Sequence, residues 1–66
     1  MTKFQEEQIW EITQELNRSY ELRTEYDKVF NELEDKKSFS LLPYFEKMER
    51  AYIKAIKNLK ERNENL

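Results

Sequence analysis

No glycine occurs anywhere in the 66 residues, and the one proline is Pro43. Glycine supplies the positive φ angles of tight hairpin turns and marks strand bulges, so a chain without it is poorly equipped for an all-β fold. Helices need no such residue. From Thr2 to about Lys36 nothing interrupts one, and Pro43 is placed where a second could begin. This pattern predicts an all-α chain forming a single domain over residues 1–66.

Apolar spacing supports the prediction. Ile9, Ile12, Leu16, Tyr26, Phe30 and Leu33 recur in steps of three and four and fall at heptad a and d positions, with Ser19 and Arg23 completing the seam. Leu22 and Val29 widen that seam on one side and Tyr20 on the other. Thr2 and Gln5 fit a capping box, and Glu6 and Glu7 suit the positive end of the helix dipole. The expected first helix is long, covering about residues 2–36.

Residues 35–40 break the periodicity. Ser40 is the expected cap of a second helix over about residues 41–63, with Pro43 in its first turn and Phe39 and Tyr44 as a hydrophobic staple. Its seam reads Leu41, Phe45, Met48, Tyr52, Ala55 and Leu59, flanked by Leu42, Tyr44, Ala51 and Ile56. A short connection folds consecutive helices back as antiparallel neighbours. Charge favours the same orientation. Residues 2–35 carry ten acidic and four basic side chains, whereas residues 47–62 carry two acidic and six basic ones. Folding about residue 39 pairs Glu21 with Lys57, Glu25 with Lys54 and Glu32 with Lys47. Arg23 and Arg62, both at seam positions, are expected to lead their stems along the seam and their heads to solvent.

The expected architecture is therefore an antiparallel two-helix hairpin with unequal arms, about 50 Å against 33–35 Å at the rise of an α-helix. So small a core rarely supplies more than about 3–5 kcal/mol, and without cysteine no disulfide can staple it. Completion by dimerisation into a four-helix bundle, or by a partner protein, is the expected remedy. The longer arm would leave Phe4, Ile9, Trp10 and Ile12 uncovered. Trp10 and Ile53 lie off the seams, so Phe4, Ile9, Trp10, Ile12 and Ile53 are the candidate partner-binding residues.

Catalysis finds little support. Histidine is absent as well as cysteine, which removes the usual base, the thiolate nucleophile and the usual zinc ligands. Glu11 with Glu15, Glu21 with Glu25, and Glu46 with Glu49 are expected to be solvated helix faces. The chain is read as non-enzymatic, with no catalytic, cofactor or metal site.

With net charge −2 the whole chain has no general attraction to nucleic acid or anionic lipid. The second helix differs, because Arg50, Lys54, Lys57 and Lys60 accompany Tyr52 along it. A homodimeric RNA- or DNA-binding regulator using those cations is the alternative reading. No apolar run approaches the roughly 18 residues of a membrane span. The start, MTKFQEEQIW, lacks the order of a signal peptide, so a cytoplasmic location is expected.

In overall plan and at its ends, Met1-Thr2-Lys3 and Glu64-Asn65-Leu66, the chain resembles the Rop family of plasmid copy-control proteins. That resemblance implies a dimeric four-helix bundle binding paired RNA loops. Length and plan also resemble the helical-hairpin co-chaperones of type III secretion needle subunits, which implies an apolar face holding a protein partner. Neither resemblance carries a functional residue over.

Overall fold

The computed structural model describes residues 2–64, which form four helices and no strand: α1 (Lys3–Arg18), α2 (Tyr20–Glu34), α3 (Lys37–Ser40) and α4 (Tyr44–Glu64). Met1, Asn65 and Leu66, part of the resembling ends, lie outside the described residues. The all-α expectation holds, while the two-helix hairpin gives way to a different arrangement.

The long first helix is broken at Ser19. This residue is extended (φ −129°, ψ 111°) and serves both as the end of α1 and as the N-cap of α2. Its hydroxyl accepts from the Leu22 N–H at 3.2 Å, and its carbonyl accepts the first backbone bond of α2 from the Arg23 N–H at 3.0 Å. A serine on a heptad seam reads as a small seam residue. Here it is a cap, because its hydroxyl satisfies a backbone donor that helix initiation leaves free.

The break lets α1 lie against both α2 and α4. The longest dimension of the molecule is 40 Å, too short for the 50 Å arm expected of an unbroken helix. Ile12, expected to be uncovered, is only 4 % exposed, and Ile9 is half-buried. Ile12 is thus covered from within the chain, where α1 lies against α2 and α4.

α2 and α4 run antiparallel. Glu25, early in α2, meets Arg62, late in α4, at 2.8 Å, and Glu34 at the end of α2 meets Lys47 at 3.9 Å. Glu25 thus takes Arg62 in place of the expected Lys54, Lys47 takes Glu34 in place of Glu32, and no ion pair joins Glu21 to Lys57 among the described residues. The connection is longer than expected and contains α3, so α4 starts at Tyr44 instead of Leu41. Ser40 ends α3, donating its hydroxyl to the Lys37 carbonyl at 2.9 Å, and does not cap α4. The Pro43 carbonyl accepts the first α4 bond, from the Lys47 N–H at 3.1 Å, so the proline precedes the first turn. Leu41, expected in the seam, lies in the turn and is 85 % exposed.

The core is built by Leu22, Tyr26 and Val29 of α2 against Ala51 and Ala55 of α4, with Leu16, Phe30, Leu33, Tyr52, Ile56 and Leu59 around them. The two alanines, fully buried, let the helix backbones approach closely. Leu22, Val29 and Ala51, read as seam flanks, are central. Three helices sharing one core need a wider apolar face than a two-helix seam. Phe39 of α3 closes the end of the core with its ring edge-on to Phe30 at 5.6 Å, while Tyr44 remains largely exposed. The expected staple between Phe39 and Tyr44 is replaced by this stack on Phe30.

Candidate functional site

The helical repeat sets which candidate residues face out. Residues two apart on an α-helix point in nearly opposite directions, about 200° around the axis. Ile12 faces the core, so Trp10 faces away from it and is 63 % exposed; Ala55 faces the core, so Ile53 faces away and is 57 % exposed. Phe4 is likewise exposed near the start of α1. Six positions separate Phe4 from Trp10, which puts them about 120° apart around the axis and prevents one continuous patch. The five candidate partner-binding residues are therefore not brought together. Ile12 is core, Ile9 is half-buried, and the other three occupy separate outward positions.

Of the three outward candidates, Trp10 and Ile53 each line a shallow recess. One, of about 350 Å³, lies between α1 and α4 and is lined by Trp10, Ile12, Glu11, Glu15, Arg18 and Tyr52 among others. Glu15 forms an ion pair with Arg18 at 3.6 Å within α1. The Tyr52 phenol is pushed up in pKa, first by burial and then by the nearby Glu15 and Glu11 carboxylates. The other recess, of about 420 Å³, lies along α4 and is lined by Arg50, Ile53, Lys54, Lys57, Asn58 and Glu61. Arg50, Lys54, Lys57 and Lys60 are all exposed. The α4 recess thus has a mostly basic rim, whereas acidic residues outnumber basic ones around Trp10.

Glu25 departs most from its expected place. Grouped with Glu21 as a solvated face, it is instead 7 % exposed. Its carboxylate accepts from the Arg62 guanidinium at 2.8 Å and the Asn58 amide at 3.2 Å. The Arg62 hydrogen bond dominates and holds its pKa below the usual carboxylate range, against an opposing push from burial. Arg62 therefore does more than reach solvent, although its side chain stays 55 % exposed; Arg23 is exposed as expected. A clue in the sequence was available. Glu25 lies three residues after Leu22 and four before Val29, on the face that those two apolar residues define.

Among the described residues, no group of three or more acidic, histidine or cysteine side chains could hold a metal ion. No described helix is long and apolar enough to cross a membrane. No protein-family model matches the chain, and no curated protein or solved structure shows significant similarity to it.

Proposed function

We propose that this chain is a non-enzymatic binding module that engages a protein partner through the outward faces of α1 and α4, with Trp10 and Ile53 as its anchors. The observation that supports this most is the position of Trp10. It points away from a core already filled by Ile12, Val29, Ala51 and Ala55. Trp10 is therefore not surplus core material, and tryptophan is the side chain most enriched at interface hot spots. The basic rim around Ile53 suits an acidic partner surface, since complementary charge steers encounter and rejects wrong partners.

The test is affinity capture with the wild-type chain, Trp10→Ala, Ile53→Ala and Leu41→Ala. A partner held by the wild type and by Leu41→Ala, but lost with Trp10→Ala or Ile53→Ala, supports the module. Equal retention by all four chains contradicts it.

A second reading follows from the α4 cations. Arg50, Lys54, Lys57 and Lys60 are exposed on one helix, an arrangement that can follow a phosphate backbone. Reversing Lys54 and Lys57 to glutamate should abolish a salt-sensitive gel shift with RNA or DNA. Absence of any shift at low salt retires this reading. Light scattering tests self-association, and a well-folded monomer at high dilution excludes an obligate dimer.

A further inference from the structure

The aromatic cluster between α2 and the start of α4 has two ends, and a cation occupies one. There the Lys47 ammonium lies 6.0 Å from the centre of the Phe39 ring and 3.9 Å from the Glu34 carboxylate. A cation is thus held between an aromatic face and an acid.

The opposite end contains the same ingredients. A recess of about 340 Å³ is lined by Tyr26, Asp27, Phe30, Asn31 and Tyr44. Phe30 is central to it, with its ring centre 5.9 Å from that of Tyr26 and 6.5 Å from that of Tyr44. Tyr26 is almost completely buried, whereas Tyr44 is 63 % exposed. The Tyr26 phenol is pushed up to about 12, chiefly by burial and then by the Tyr44 and Asp27 oxygens nearby. Asp27 is exposed and makes no ion pair among the described residues. Arg23, one turn earlier, lines the adjoining recess with Tyr26, Asp27 and Tyr44.

From this arrangement the geometry points to a binding site for an organic cation, an alkylammonium or guanidinium head group, received by Tyr26, Phe30 and Tyr44 with Asp27 as its counter-charge. Ring faces attract a cation through their quadrupole, and the carboxylate adds a full opposite charge. Asn31 also lines the recess, and its amide oxygen is an acceptor for those guests that carry an N–H, as the lysine and arginine head groups do. Such a head group belongs either to a lysine or arginine side chain of a partner or to a free small molecule. Both present the same chemistry to the recess.

The test is an NMR titration of the full chain with choline, with its uncharged isostere 3,3-dimethylbutanol, and with arginine and lysine blocked at both ends. Choline or a blocked amino acid should shift the ring resonances of Tyr26, Phe30 and Tyr44 saturably, while the isostere should not. Tighter binding of a blocked amino acid indicates a partner side chain as the source, and tighter binding of choline indicates a free ligand. Tyr44→Ala and Asp27→Asn should each weaken the bound cation by roughly fivefold or more, and Tyr20→Ala should leave it unchanged. Equal shifts from choline and its isostere, or no saturable shift from any cation, overturn the assignment. The titration uses the isolated chain and does not involve Trp10 or Ile53, so its outcome is separate from that of the partner-capture test.

Discussion

The Arg62 guanidinium donates to the Glu25 carboxylate at 2.8 Å and joins the late turns of α4 to the early turns of α2, 37 positions away in the chain. An exposed pair contributes at most about 1 kcal/mol, whereas breaking a fully buried one costs about 3–5 kcal/mol. This pair is intermediate, because Glu25 is buried and Arg62 is half exposed. Arg62→Ala should therefore cost about 1–2 kcal/mol in chemical denaturation, since Glu25 would retain only the Asn58 amide. Adding Asn58→Ala should cost more than the single changes imply, because it leaves the buried carboxylate with neither partner. A strictly additive double-mutant cycle would count against a shared network.

The same carboxylate predicts an acid dependence. In the folded chain its pKa is lowered, chiefly by the Arg62 hydrogen bond, relative to an ordinary value of 4.5. A lowered folded pKa means that the unfolded chain binds the proton more readily as pH falls. The resulting stability is present above the ordinary value and is lost as pH falls through the lower folded one. Glu25→Gln should remove that component, leaving a shallower decline of melting temperature below about pH 4.5. Wild-type and variant acid profiles that run parallel would show that Glu25 is not the group responsible.

Much of the fold was legible because helical periodicity is a local property. The Thr2 capping box forms as read, with the Gln5 N–H donating to the Thr2 hydroxyl at 3.2 Å and the Thr2 N–H to the Gln5 side chain at 3.0 Å. The antiparallel run of α2 and α4 was likewise anticipated by their opposite charges. What escaped was the division of the first apolar stretch. Ile9, Ile12 and Leu16 keep heptad spacing with Tyr26 and Phe30 whether or not Ser19 interrupts the helix, so periodicity cannot detect the break. The fate of Ile12 followed from that one residue. Trp10 and Ile53 were legible as outward residues, because their offset from the seam does not depend on where α1 ends. The recess of Tyr26, Phe30 and Tyr44 was not, because it depends on the tertiary approach of α4 to α2.

Ile12 and Trp10 offer a paired test of how α1 docks. Removing a buried isoleucine side chain costs about 2–5 kcal/mol, most where the cavity cannot collapse. Ile12 is 4 % exposed but sits outside the central cluster, so Ile12→Ala should fall near the lower end of that range. Trp10→Ala should change stability by less than about 0.5 kcal/mol, as a surface substitution does. The comparison is made by thermal melts of both variants. If Trp10→Ala were the more destabilising, α1 would have to be turned about its axis from the orientation described.

Ser19 carries the greatest consequence for a single side chain. Its hydroxyl satisfies the Leu22 N–H, and replacing such a cap with alanine typically costs about 1 kcal/mol. Alanine also favours the helical backbone over the extended conformation that Ser19 adopts. Ser19→Ala should therefore destabilise the docked α1 while raising the tendency of residues 3–34 to form one continuous helix. In that state Ile12 and Leu16 would be carried away from the core. The expected readout is a lower melting temperature with helicity by circular dichroism undiminished, and faster amide exchange along α1. Ser19→Asp keeps an acceptor at the cap and should retain most of the stability. A chain in which alanine is tolerated as well as aspartate would show that the hydroxyl does not maintain the break, and that packing of Ile12 against the rest of the molecule suffices to bend the chain at this point.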